Sequence, residues 1–502
     1  MPESDGRHVG KVPGGSSEPS DGPPPPVVRP SGRRLRRLTG GLVVLVLVAG
    51  VAAFQFDLGP RWFGFDYPSP VTQPAEVPPP QGLTLPDAED PAPVAATTEP
   101  VEADPRAVRR AVAPLLRDRR LGPDVAVAVS QLVDGEIVLR EGEASVVPAS
   151  TLKMLTTAAA LTALGDDHRF RTSVVTGSSP KRIVLVGGGD PLLARRPESA
   201  EDTYPPRADV QTLARATAKA LRDLGRTRVR LGYDATLFEG PAVSPDWPAS
   251  YVPDNVVSPI SALWVDEGRE PGTFVRSADP AEAAAQAFAD ALARRNIEVV
   301  GPLRPEVAPE DPTELAAVEG APLAQVVQHV LEASDNEAAE VLLRQVALAA
   351  AEPASFVGGS RAVVAALADV GVDASADRVL DGSGLSRRDR LRPETLLSLV
   401  EAAAGPEHEE IRPVLAGLPV AGFTGSLTYR FETGDGAGLG AVRAKTGTLT
   451  GVHGLAGTVT TEDGVVLGFV AAADRVRVPD TLAARARLDE VAAALAGCTC
   501  AS

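Results

Sequence analysis

Apolar residues along the 502-residue chain recur at two periods, every second position in some stretches and every third or fourth in longer ones. Asp124 to Ser130 reads Asp-Val-Ala-Val-Ala-Val-Ser, a strand, and Asp134-Gly135 is a hairpin turn into a second strand, Ile137 to Arg140. A short helix is expected ahead of them, over Ala107 to Arg117. Leu152, Leu155, Ala159 and Leu164 then fall near helical spacing, which predicts a helix opening at Ser150 and stopped by Gly165. Residues 172–318 mix both periods, with a strand at Ile183 to Val186, a Gly187-Gly188-Gly189-Asp190 turn, and helices near Val210 to Leu224 and Ala281 to Arg294. From Pro322 the period is helical, over Leu323 to Leu331, Glu337 to Ala351, Ser360 to Val370 and Pro393 to Ala404. Strands return at Ala441 to Thr446, Leu455 to Thr460 and Val465 to Ala472, and a helix over Asp480 to Leu495 follows. Strands at both ends with helices between predict an α/β (α+β) domain whose central antiparallel sheet is built from the two chain ends.

Before this region the pattern is different. Residues 1–37 are rich in Pro, Gly and Ser and end in Arg33, Arg34, Arg36 and Arg37, which reads as a disordered tail. Leu38 to Phe56 holds no charged residue, and its 19 residues could span a bilayer. The arginines before it place the tail in the cytoplasm and everything after Phe56 outside. Val51-Ala52-Ala53 resembles a signal-peptide cleavage region, the competing reading; segment length and the late arginines favour an uncleaved anchor. Residues 57–105 are proline-dense, a semi-rigid spacer. The expected organisation is therefore a tail (1–37), a transmembrane anchor (38–56), a linker (57–105), one domain made of 106–171 with 319–497, and an inserted region (172–318).

Composition narrows the chemistry. A net charge of −17 argues against a nucleic-acid partner, which needs a basic patch. The two cysteines, Cys498 and Cys500, form a C-x-C at the C-terminus, open to either a disulfide or a free pair. The five histidines show no ligand spacing, and Gly187-Gly188-Gly189 is not a dinucleotide fingerprint, so no metal and no cofactor is expected. Of 49 basic residues only Lys11, Lys153, Lys181, Lys219 and Lys445 are lysine. Arginine stays protonated whereas a lysine can exchange protons once its pKa falls, so the placement of these few lysines carries weight.

Lys153 lies three residues after Ser150, on the same face of the predicted helix, where a desolvated amine can take the hydroxyl proton. In isolation Ser150-Thr151-Leu152-Lys153 reads as a helix cap followed by a surface lysine. Ser334-Asp335-Asn336 reads as a helix-linking turn, and Lys445-Thr446-Gly447-Thr448 as a protected edge strand. In this order the three are the S-x-x-K, S-D-N and K-T-G set of penicillin-binding proteins and class A β-lactamases.

The wider text is similar to that of the D-alanyl-D-alanine carboxypeptidase/endopeptidase family of penicillin-binding proteins. The residues that carry the resemblance are Ser334 to Glu340, Leu380-Asp381-Gly382-Ser383-Gly384-Leu385, Ala444 to Leu449 with Leu455-Ala456-Gly457, Val186 to Pro191 and Ser258 to Leu263. Ser334 lies 184 residues beyond Ser150, which resembles the larger members with domains inserted between the first two motifs. Phe423-Thr424-Gly425-Ser426 stands where the family usually reads Asp-Gly-Thr.

The resemblance implies a β-lactamase/transpeptidase-like domain, peptidoglycan stem peptides as substrate and β-lactams as inhibitors. Ser150 would form the acyl-enzyme and Lys153 would be its base, with a pKa lowered by burial and by the Lys445 charge. Ser334 would relay the proton and Asn336 would orient Lys153 and hold the substrate amide. Lys445, Thr446, Gly447 and Thr448 would form the strand that binds the substrate and its terminal carboxylate, with the N–H groups of Ser150 and Thr448 as oxyanion hole. Asp381 to Gly384 reads most simply as a tight turn. Two rivals remain: a β-lactamase, although no E-x-x-L-N follows S-D-N, and a wall-binding sensor without turnover.

Overall fold

The computed structural model describes residues 101–179, 181–198, 203–432 and 436–502. The expected tail and anchor, and nearly all of the expected linker, lie outside the described residues. Among those described, no helix is long and apolar enough to cross a membrane.

The two ends of the described chain meet in one sheet. Its strands are β1 (Asp124–Gln131), β2 (Ile137–Gly142), β9 (Val442–Leu449), β10 (Val452–Thr460) and β11 (Val466–Asp474), ordered β2-β1-β11-β10-β9 and antiparallel throughout. Strand β1 is buried on both faces because its alternation puts Val127 and Val129 in one core and Ala128 in the other. The valines pack with helices α1 (Pro105–Val112) and α10 (Thr481–Ala496). Helix α1 stops earlier than the apolar spacing suggests, at Pro114, which has no N–H to continue the helical ladder. Asp104 caps its start, accepting from the Arg106 N–H at 2.8 Å.

The opposite face carries the larger core, built around α2 (Lys153–Leu164), α5 (Leu323–Glu332), α6 (Asn336–Ala349), α7 (Phe356–Asp369) and α8 (Pro393–Ala404). A short helix, α9 (Pro413–Ala416), follows. Helix α2 is buried nearly all round rather than on one stripe, since Met154, Leu155 and Ala158 to Leu161 are all inaccessible. Its buried hydroxyls are spent internally: Thr157 donates to the Lys153 carbonyl at 2.7 Å and Thr156 to the Gly382 carbonyl at 2.8 Å.

Between β2 and α5 the chain builds a second, mixed sheet. Its strands are β3 (Arg171–Thr176), β4 (Arg182–Val186), β5 (Arg228–Asp234), β6 (Glu298–Val299) and β8 (Glu314–Glu319), with the two-residue β7 (Arg304–Pro305) beside β5. Strands β4, β5 and β6 run parallel, so the connections must cross over, and α3 (Val210–Asp223) and α4 (Pro280–Ala293) do so. These helices cover the sheet with a separate apolar core that includes Leu213, Leu231 and Phe288. Sequence pattern located β4, α3 and α4; it missed β3, β5 and β8, short strands whose charged ends weaken the alternation. The C-terminal pair closes a Cys498–Cys500 disulfide, and Ala501 bridges to Ala103, tying the two chain ends together.

One buried cation joins the inserted segment to α6. Arg344 donates to the carbonyls of Glu239 (3.1 Å), Ala354 (2.9 Å) and Pro241 (3.0 Å), and its guanidinium lies 4.4 Å from the Phe356 ring centroid. Arg344→Met keeps the packing volume but strands the carbonyls of Glu239 and Pro241, while that of Ala354 keeps the Glu239 N–H. It should lower unfolding free energy by about 3 kcal/mol in a denaturant titration, given about 1–3 kcal/mol per buried unpaired group.

Candidate active site

The site forms where β9 packs on the turn that starts α2. Ser150 sits in a single 3₁₀ turn, Ala149–Leu152, ahead of the α-helix proper. Ala149 is held at φ 47°, a left-handed conformation a β-carbon disfavours by about 1–3 kcal/mol, so surrounding packing must enforce it. Two glycines make that packing possible. A β-carbon on Gly384 (φ +78°) would lie 1.8 Å from the Ala149 carbonyl oxygen, and one on Gly447 would lie 2.6 Å from that of Pro148. The glycine of Lys-Thr-Gly is thus required where the strand crosses the serine turn.

Lys153 is completely buried and hydrogen-bonds Ser150 Oγ at 2.9 Å, Asn336 Oδ1 at 2.8 Å and the Ser383 carbonyl at 2.7 Å. Burial lowers its pKa to about 8, against the opposing pull of Asp381, Glu340, Asp335 and Glu337. The expected contribution of Lys445 takes a different form. The repulsion between the two lysines adds to burial in holding Lys445 well below its usual range. Lys445 is as buried as Lys153 and has the poorer set of partners: its amine donates to the Thr446 carbonyl at 3.2 Å.

The second motif does two jobs. Asp335 caps α6, accepting from the Ala338 N–H at 2.9 Å, and its other oxygen lies 3.1 Å from His329 Nε2. That cap turns Asn336, the first residue of α6, towards Lys153. Ser334 adopts φ 58° to make the entry, and its hydroxyl bonds no other described group. On β9 the Thr446 hydroxyl is hydrogen-bonded to that of Ser426 at 2.8 Å, and Thr448 is exposed. Ser150, Lys153 and Asn336 are thus in direct contact, Lys445 is close enough to feel the Lys153 charge, and Ser334 is unengaged.

Beyond the S-D-N turn lies a cavity of about 290 Å³, lined by Ser334, Asn336 and charged groups of the inserted segment, including Arg207, Glu267, Arg269 and Arg276. Glu267, His329 and Asp335 bring ligand-type atoms within 4.8 Å of one another. Arg269 and Arg207 already compensate Glu267, and Arg276 pairs with Glu337 at 2.6 Å, so the group is knit as an ion-pair seam. His453 is buried with no partner for either ring nitrogen, and burial with nearby arginines lowers its pKa to about 4. It is a neutral core residue with no part in a Ser-His-Asp triad.

A serine and a buried lysine from one motif thus meet an asparagine from a second, set beneath an antiparallel sheet. Residues 108–273 and 270–495 match the D-Ala-D-Ala carboxypeptidase 3 (S13) family. The chain belongs to that family. Membership makes it a D-Ala-D-Ala carboxypeptidase. It is 35% identical to Carboxypeptidase DacB of Mycolicibacterium smegmatis, over 82% of this chain and 91% of that one. A carboxypeptidase of Mycobacterium tuberculosis is 36% identical, over 72% of this chain and 78% of its own length. Penicillin-binding protein 4 of Haemophilus influenzae shares the fold, with a TM-score of 0.62 at 21% identity, covering 78% of this chain and 98% of that structure. That protein is also known in complex with a β-lactam.

Three features of this carboxypeptidase were not read from sequence: the Ser383 carbonyl on Lys153, Ser426 on Thr446, and the carboxylates beneath Lys153. Leu380 to Leu385 was visible as a motif, but a main-chain acceptor has no residue-type signature. Gly447→Ala should move β9 off the Ser150 turn. Acylation by a fluorescent penicillin should slow about 10²-fold, the scale of an ångström misplacement, with Ser150 still labelled on prolonged incubation.

Proposed function

We propose that the chain removes the terminal D-Ala from D-Ala-D-Ala stem peptides of peptidoglycan by acyl transfer to Ser150. Neutral Lys153 takes the Ser150 proton as Oγ attacks the penultimate carbonyl, and the tetrahedral oxyanion is held by the N–H groups of Ser150 and Thr448. Ser334, free to accept and donate, passes the proton to the departing D-Ala amine. Water then attacks the ester, and Lys153 recovers its proton and returns it to Ser150. Lys445 takes up a proton when the substrate's terminal carboxylate arrives beside it, supported by Thr446 and Thr448. The same attack on a D-Ala amide in a cross-link is endopeptidase chemistry. β-Lactams, which present a strained amide in place of the scissile bond, acylate Ser150.

The single observation that carries this reading is Lys153 Nζ at 2.9 Å from Ser150 Oγ with the amine fully buried. A serine helix cap beside a surface lysine would leave that amine in water. A β-lactamase reading lacks a deacylating glutamate in the E-x-x-L-N setting. In the wider organisation, residues 38–56 anchor the chain in the membrane and hold residues 106–171 with 319–497 outside, as the catalytic β-lactamase/transpeptidase-like domain interrupted by 172–318.

Whole cells treated with a fluorescent penicillin test the reading together with its topology. Stable label should appear on the chain in the membrane pellet of intact cells, and Ser150→Ala should abolish it. Rapid loss of label would point to a β-lactamase, and no label on the wild type would remove the proposal. Because the base must be neutral and burial lowers its pKa to about 8, the acylation rate should climb as pH rises through about 8. Lys153→Met should be silent at every pH.

A further inference from the structure

Lys153 has three partners, and their number matters. A neutral amine has two hydrogens and one lone pair. Asn336 Oδ1 at 2.8 Å and the Ser383 carbonyl at 2.7 Å take the hydrogens, which leaves the lone pair for the Ser150 hydroxyl at 2.9 Å. After proton transfer the ammonium has three hydrogens for the same three oxygens. If the Ser383 carbonyl moves, one hydrogen loses its acceptor and the lone pair can swing away from Ser150.

That carbonyl is fixed from beneath by buried carboxyl groups. Glu340, one turn into α6 beyond Asn336, accepts the Ser383 N–H on Oε1 at 2.8 Å and the Gly382 N–H on Oε2 at 3.0 Å. Asp381 accepts from the N–H groups of Gly384 (2.8 Å) and Ser386 (2.7 Å) and from Trp247 Nε1 (2.7 Å). Asp389 accepts the Leu380 N–H at 2.8 Å, while its second oxygen is buried with no N–H or O–H donor among the described residues. All three carboxyl groups are inaccessible to solvent.

We infer that Glu340 is a positioning residue for the general base: its two oxygens clamp the Gly382–Ser383 peptide groups so that the Ser383 carbonyl aims the Lys153 lone pair at Ser150. The inference rests on the functional reading above. Both Glu340 oxygens accept N–H donors, as do both of Asp381, so each is satisfied as a carboxylate. Asp389, pushed up to about 10 by burial and by the Asp381 charge, holds a proton. Burial and Asp381 push Glu340 up to about 8, with the Gly382 and Ser383 N–H donors opposing that rise. Lys153 on α2 therefore faces Glu340, Glu337 and Asp335 from the α6 region and Asp381 from the loop, with Lys445 on β9 as the neighbouring amine. Arg344, one turn along α6, also feels the Glu340 charge. Glu340 thus supplies both direction, through the clamp, and basicity, through its charge.

The test measures the second-order rate of Ser150 acylation by a fluorescent penicillin, on the full-length chain, from pH 6 to pH 10. Glu340→Gln keeps one acceptor but sets an amide N–H₂ against the other backbone N–H. Its plateau rate should fall about 10²-fold. Its acid limb should move to lower pH by about half a unit or more, because an anion that favoured the ammonium form is gone. Glu340→Asp keeps the charge and shortens the reach, so its plateau should fall while the limb stays in place. That split separates positioning from a merely structural role. A Glu340→Gln protein that melts cooperatively and shows a wild-type plateau, or an unmoved limb, overturns the inference. If Glu340→Gln does not melt cooperatively, Glu340→Asp decides: a wild-type plateau there overturns it equally. A wild-type chain that takes no label at Ser150 instead overturns the functional reading on which this rests.

Discussion

A lysine amine is kept out of water and still fully hydrogen-bonded, and much of the fold is organised to allow it. Taking an ammonium from water is expensive unless charge and donors are compensated, and the usual response is a fall in pKa. Here burial drives the fall, while three oxygen acceptors and four nearby carboxyl groups limit it, leaving the amine at about 8. The balance leaves an amine that is strongly basic yet readily neutral. Lys445, equally buried but with one main-chain acceptor, lacks that compensation. Two lysines of the same sheet-and-helix interface are thereby set to different tasks by the acceptors around them.

Holding those acceptors in place explains several features that look costly alone. Ala149 and Ser334 both take left-handed backbone conformations next to the reacting groups. Neither is a glycine, so tertiary packing supplies what local preference withholds. Gly384 and Gly447 do so for Ala149 by letting a loop and a strand approach the serine turn from two sides. For Ser334 the work is done by Asp335, whose cap on α6 fixes the turn from the other end. The S-D-N triplet is at once a helix cap and a site element, and the two roles depend on each other.

The inserted segment is part of the same arrangement. Its Arg276 pairs with Glu337, its Ser258 N–H donates to the same carboxylate at 3.2 Å, and its Trp247 hydrogen-bonds Asp381 beneath the lysine. Arg344 returns the connection from α6 to the carbonyls of residues 239 and 241. These bonds are buried and polar, so they are directional, and removing one partner leaves the other unpaired. They connect the second sheet to the groups that surround the base.

The sequence by itself carried the order of the three motifs, the hairpin at Asp134-Gly135, most helices to within a turn, and the closure of one antiparallel sheet by the two chain ends. Those features are written in residue type and period, through apolar spacing, turn residues and chemistry-bearing side chains. It also isolated Ser150, Lys153 and Lys445 as the residues to watch, because lysine is so scarce in an arginine-rich chain. Tertiary structure alone decided what surrounds the lysine: a carbonyl of Ser383 and three buried carboxyl groups brought together from α6 and a loop some forty residues beyond. A backbone oxygen has no identity in the sequence, and a buried carboxylate looks like a surface one until its neighbours are known. How each lysine's charge is opposed or supported depends on distances between distant segments, and only the folded chain sets those.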